Sequence, residues 1–155
     1  MGRSVCANFV LMRYIGFERE EEAEQWARKK LNLLQPPEFF RAASAVDSSG
    51  EFVCVVVMTN FTARNVDLNI AIDKTKVRPK GTIVMFNAIF GFLFEQLNVA
   101  RVTGLLRGKN VESRRITEHF GFKLEGIMRE AFPDDDLHVY GFLADEYRAH
   151  AWHRG

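Results

Sequence analysis

Arg78-Pro79-Lys80-Gly81-Thr82-Ile83 is the first stretch of this chain whose residue types could act on an anion. It follows a segment that reads as a strand and opens one that reads as a helix. The first N–H groups of a helix have no partner within it, and the helix dipole adds positive potential there, so such a start binds anions. Gly81 lets the backbone approach a ligand with no Cβ in the way. Lys74, Lys76, Arg78 and Lys80 raise the local charge further. A phosphate or pyrophosphate fits this chemistry; an ordinary basic loop with a glycine-assisted helix start is the other reading. The stretch carries neither the G-K-[ST] of a Walker A loop nor G-x-G-x-x-G.

The second stretch runs from Arg101 to Gly126, RVTGLLRGKNVESRRITEHFGFKLEG. A strand leads into Asn110, which reads as a helix cap, and Gly121-Phe122 turns the chain back into a strand. Asn110 and Ser113 stand on the first turn, where side chains and free amides reach a ligand. Arg114 and Arg115 offer charge for a terminal phosphate. Other chemistry-bearing residues form no set. His150 and His153 could share a helical face, but no third metal ligand is suggested, so no metal is expected. His119 reads as packing or solvated. Cys6 and Cys54 form no C-x-x-C pair and lie on expected strands, which suits inert thiols in a reducing, cytoplasmic setting.

The elements that must position these residues follow from hydrophobic spacing. Ser4 to Ile15 reads as a strand. Glu18 to Leu34 reads as a helix with Ala23, Trp26, Ala27, Leu31 and Leu34 on one face, stopped by Pro36-Pro37. Its acidic start and basic end suit the helix dipole, and its charged side reads as a solvated face. Phe39 to Val46 and Glu51 to Phe61 read as strands joined by a turn at Asp47-Ser48-Ser49-Gly50, and Val66 to Ile72 as a third in the same meander. Asp73 to Gly81 is a basic loop, and Ile83 to Leu97 a helix apolar on nearly every side. Arg101 to Arg107 is a strand, Asn110 to Phe120 a short helix. Phe122 to Glu130 and Leu137 to Leu143 are strands turned by Pro133-Asp134-Asp135-Asp136, and Asp145 to Gly155 is a helical or frayed tail. The buried helix joining two strands implies a parallel pair there. The whole predicts an α/β (α+β) fold, a mixed, mostly antiparallel sheet of six to seven strands with helices on both faces.

Size and composition set outer bounds. A chain of 155 residues suits a single domain spanning 1–155, and 14 Phe supply a core. Its 47% hydrophobic and 26% charged residues are globular in balance. With 21 Lys+Arg against 20 Asp+Glu, the net charge of +1 lacks the basic footprint of a non-specific nucleic-acid binder. The apolar run from Thr82 to Leu97 is shorter than the ~20 residues of a membrane span. The N-terminal stretch lacks a small-residue cleavage site, so neither a signal peptide nor a membrane partner is expected.

The ordered series R-P-K-G-T, F-x-x-L at Phe94 to Leu97, A-R-V at Ala100 to Val102, N-x-x-S at Asn110 to Ser113, G-F at Gly121-Phe122, L-E-G at Leu124 to Gly126 and Arg129 resembles the GNAT family of N-acetyltransferases. It is most similar to the ribosomal-protein N-terminal acetyltransferase-like (Rim-type) branch. The resemblance is strong over about a third of the chain, from Arg78 to Arg129, and the element order extends it further. It implies acetyl-CoA as co-substrate and a splay between two parallel strands. In that family the loop has the form [RQ]-x-x-G-x-[GA]. Arg78 and Gly81 match its first and fourth positions, whereas Ile83 stands where Gly or Ala is usual. The resemblance implies that the loop of Arg78, Pro79, Lys80, Gly81, Thr82 and Ile83 binds the pyrophosphate through its backbone amides. Pantetheine would pair with the backbone of Ile70, Ala71 and Ile72, and Asn110, with Ser113 and Arg114 beside it, would contact the cofactor from the other side.

The reaction implied is direct attack of an amine on the thioester. The acceptor class is a protein N-terminus, a lysine or a small-molecule amine. Many members place a Tyr acid where this chain has Thr117; Ser113 is the alternative, with capping as its structural role. Asp67, on the strand flanking the splay, is a candidate base; Glu125, Glu130 and His138 are further options. Acidic residues of the first helix and of Asp134 to Asp136 could attract a cationic amine, or be solvated turns. A non-catalytic acetyl-CoA-binding module is the rival reading, and a homodimer is allowed.

Overall fold

In this computed structural model, residues 15–33, 35–76 and 79–150 are described. The first expected strand falls almost wholly outside them, as do Cys6 and His153. Its end is present as β1 (Ile15–Gly16), paired antiparallel with Ala45 and Ser44. Helix α1 (Glu20–Lys30) follows, with Glu20, Glu21 and Glu22 in its first turn and Arg28, Lys29 and Lys30 in its last. The helix ends before Pro36-Pro37 because Asn32 adopts φ +54°. A short polar side chain tolerates that left-handed conformation, so Asn32 stops the helix.

Two compact units share the chain: Met1–Thr59 with Ile70–Ile89, and Asn60–Asn69 with Phe90–Gly155. In the first, β2 (Arg41–Val46) and β3 (Phe52–Thr59) pair antiparallel from Arg41↔Met58 to Val46↔Phe52. The turn between them is closed by Asp47, whose Oδ1 accepts from the Ser49 N–H at 2.9 Å and the Glu51 N–H at 3.1 Å, while Gly50 takes φ +82°. α1 sets Ala23 and Ala27 against Ala42, Phe52, Val55, Val57 and Ala71, and the small alanines on both sides let helix and strands approach closely. Cys54 is buried in β3, and burial pushes its thiol up to about 12, which makes it chemically inert.

β4 (Asn65–Ile72) begins in the second unit and ends in the first. Helix α2 (Pro79–Gly91) starts earlier than the hydrophobic pattern predicts. Proline fits a first helical position, where its missing N–H would have no partner anyway, so the loop expected through Gly81 is already helix. The last turns expected as ordinary helix form a π-helical segment, Phe92–Gln96.

In the second unit β5 (Arg101–Arg107) pairs parallel with β4 from Asn65↔Arg101 to Leu68↔Gly104. Helix α3 (Val111–His119) is capped by the Asn110 side chain and ended by Gly121 at φ +100°, as its sequence predicts. β6 (Lys123–Phe132) and β7 (Asp135–Leu143) form a hairpin with a tighter turn than expected, Phe132 pairing with Asp135. β7 pairs antiparallel with the whole of β5, from Arg101↔Leu143 to Arg107↔Leu137, and helix α4 (Ala144–Ala149) follows. The strand order is β1-β2-β3-β4-β5-β7-β6, seven strands among the described residues and mixed in direction. Phe90, Phe94, Phe122, Phe142 and Tyr147 form the second unit's aromatic core, Tyr147 stacking on Phe94 with centroids 4.9 Å apart.

Candidate functional site

In the first unit, the expected anion site lies at the head of α2. Pro79 to Ile83 form its first turns, and with Pro79 at the first position the N–H groups of Lys80 and Gly81 are those without an intrahelical partner. Arg78 lies outside the described residues. Lys76 is not a free cation for a phosphate: its Nζ contacts Asp47 at 3.1 Å and Glu51 at 2.7 Å. Ile70, Ala71 and Ile72 close β4, following the residues paired with β5, and Ala71 is buried while its two neighbours are half-buried.

In the second unit, the Asn110 Oδ1 accepts the Ser113 N–H at 3.3 Å. The expected cap therefore exists, and Ser113 serves it through its backbone, leaving its hydroxyl for other work. Thr117, standing at the usual Tyr position, donates its hydroxyl to the Ser113 carbonyl at 2.8 Å. Arg114 turns inward, its Nη1 donating to the Gly108 carbonyl at 2.8 Å and its Nε to the Tyr140 hydroxyl at 3.4 Å.

Asp67 is fixed by two amides: Asn60 Nδ2 donates to Oδ2 at 2.7 Å and Asn65 Nδ2 to Oδ1 at 2.8 Å. The network continues through Thr103, whose hydroxyl donates to Asn65 Oδ1 at 2.6 Å, and through Arg101, which bonds Asn65, Thr103 and Glu125. Glu125 occupies a bulge where the β6–β7 register shifts between Leu124 and Gly126. A bulge re-aims a side chain. Here it lays the carboxylate over Gly141, where any Cβ would collide with it, and onto Arg101 at 2.5 Å. Glu125 is thus engaged as an anchor.

His138 keeps Nδ1 buried with no hydrogen-bond partner among the described residues. Glu130 is exposed at φ +55°, its N–H donating to Asp136 Oδ1 at 2.8 Å. The acidic residues weighed as an amine lure are largely occupied: Glu20 bonds Arg41, Glu22 bonds Arg19, Glu24 bonds Arg28, and Asp134 bonds Arg107. Sequence reasoning missed Gly108 and Tyr140 and weighed Asp135 only as an amine lure or a solvated turn, yet all three hold the turn before Asn110. A glycine two residues before a cap is a signal, but its partners stand far along the chain. No cluster of three His, Cys, Asp or Glu suited to a metal occurs among the described residues.

A parallel strand pair, a helix opening after the first of those strands, and a capped short helix after the second carry the candidate residues. The family model described as "Acetyltransferase (GNAT) domain" matches residues 3–123, and the chain belongs to that family. It is an N-acetyltransferase with acetyl-CoA as co-substrate. No curated protein matches its sequence.

Solved structures share the fold at low identity. Spermidine/spermine N-acetyltransferase SpeG from Vibrio cholerae, in complex with manganese ions, is 16% identical with a TM-score of 0.68, covering 94% of this chain and 99% of that one. Spermidine N-acetyltransferase from Vibrio cholerae, in complex with CoA and spermine, is 15% identical with a TM-score of 0.68, covering 86% and 96%. A GNAT-family acetyltransferase from Bacillus anthracis is 14% identical with a TM-score of 0.57, and the chain spans 66% of its length. No described helix is long and apolar enough to cross a membrane.

Proposed function

We propose that this chain acetylates a primary amine by direct attack on the acetyl-CoA thioester. The observation that carries the reading is the start of α2 at Pro79, which leaves the successive N–H groups of Lys80 and Gly81 open at the head of a helix in a GNAT chain. These amides, with Arg78, hold the pyrophosphate. The backbone of Ile70, Ala71 and Ile72 accompanies the pantetheine. Asn110 and Ser113 contact the cofactor from the head of α3. When bound, the thioester supplies the acetyl group.

Asp67, oriented by Asn60 and Asn65, takes the proton from the incoming ammonium. Ser113 steadies the departing sulfur by hydrogen bonding; a neutral hydroxyl is too weak an acid to do more at no cost. Two acceptor chemistries fall within the reading. The N-x-x-S series resembles the Rim-type branch, which favours a protein α-amine, while structural neighbours are named as spermidine acetyltransferases. A cytoplasmic location accords with the free, buried Cys54. Self-association, as a homodimer or larger, belongs to the same reading; one Vibrio cholerae neighbour is described as dodecameric.

The test is thiol release from acetyl-CoA across α-amino peptides, lysine peptides and polyamines. Release well above the no-acceptor blank with at least one class is expected. Binding of CoA with no release for any amine would favour the non-catalytic module.

A further inference from the structure

Arg114 stands on the first turn of α3 beside Ser113, where an outward cation would meet a ligand phosphate. Its guanidinium instead reaches the Gly108 carbonyl at 2.8 Å and the Tyr140 hydroxyl at 3.4 Å. Tyr140 is fully buried and donates its own hydroxyl to Glu118 at 2.8 Å, which aims its oxygen at Arg114. The same turn is held from β7. Asp135 Oδ2 accepts the Lys109 N–H at 3.0 Å, and the Gly108 N–H donates to the Asp136 carbonyl at 2.9 Å. The fit is close: a Cβ on Gly108 would come within 2.9 Å of both Asp135 Oδ1 and His138 Nε2. Immediately after this turn comes Asn110, with its N–H on the Arg107 carbonyl at 3.1 Å.

We infer that Arg114 and Asp135 are positioning residues of the cofactor site: they brace the Gly108-Lys109-Asn110 turn from opposite sides and aim Asn110, and Arg114 touches no phosphate. The inference rests on the reading of Asn110 as a cofactor contact. A forked guanidinium can hold carbonyl and hydroxyl together, which a lysine ammonium on a flexible stem does poorly. Asp135 accepts with both oxygens, Oδ2 from the Lys109 N–H and Oδ1 from the Asp136 N–H at 2.8 Å; an Asn carbonyl keeps the Lys109 bond that braces the turn and gives up only the Asp136 one.

Calorimetric titration with CoA and with 3′-dephospho-CoA separates bracing from phosphate contact. In Arg114→Gln and Asp135→Ala, both ligands are expected to weaken together by about tenfold, with their affinity ratio unchanged from wild type. Asp135→Asn should stay within about twofold of wild type. An Arg114→Gln protein that binds CoA no better than the dephospho form, where wild type prefers CoA, would put Arg114 on the 3′-phosphate and overturn the inference. Wild-type affinity for both ligands in either weakened variant would overturn it too. Circular dichroism checks folding, and should Arg114→Gln not fold, Asp135→Ala decides by whether both affinities fall. A wild-type protein that binds neither ligand would overturn the acetyl-CoA reading itself, a result distinct from a failure of the brace.

Discussion

Replacing Gly81 with Val is expected to weaken acetyl-CoA binding by about a hundredfold or more while the protein stays folded. Gly81 stands in the first turn of α2, and a branched side chain there crowds the approach of a diphosphate to the adjoining amides. Losing two charge-assisted hydrogen bonds of about 1.5 kcal/mol each accounts for the factor. The fold should not suffer, because Val is a somewhat better helix former than Gly, by a few tenths of a kcal/mol. Calorimetry and a thermal melt on the same preparation check both halves. Full affinity in the variant would show that the diphosphate is not held at this helix start.

The largest effect on stability is expected from Phe142→Ala. Phe142 is 1% exposed on β7. Its ring lies 5.4 Å from Phe90, 5.7 Å from Phe94 and 4.9 Å from Phe122. Truncation removes the shared partner of three rings and leaves a cavity that their stiff planes refill poorly. A loss of about 3–5 kcal/mol is expected from urea denaturation. A loss below about 1 kcal/mol would mean that the cluster collapses around the gap or is packed differently.

Hydrophobic spacing carried the fold further than the site. The faces of α1 and α3, the Asn110 cap, the Gly121 stop and the strands around the Asp47 turn follow from local chemistry, and local chemistry is what a sequence displays. Asn32 is hard to see as a helix stop because a doubled proline a few residues on reads as the stronger signal. Pro79 is ambiguous by type, because proline suits a first helical position as well as it suits a loop. Arg114 marks the harder limit. Whether an arginine on a first turn faces a ligand or its own protein depends on Tyr140, twenty-six positions later, and on a carbonyl whose direction only the turn at Gly108 sets. Glu125 is similar: its use as an anchor for Arg101 follows from a register shift that no spacing rule reveals.

The most direct measurement is a crystal structure of this chain grown with CoA. The account predicts pyrophosphate oxygens within about 3 Å of the N–H groups of Lys80 and Gly81, and pantetheine running beside the backbone of Ile70 to Ile72. Density for CoA elsewhere on the protein, with the head of α2 in contact with protein or water alone, would contradict it.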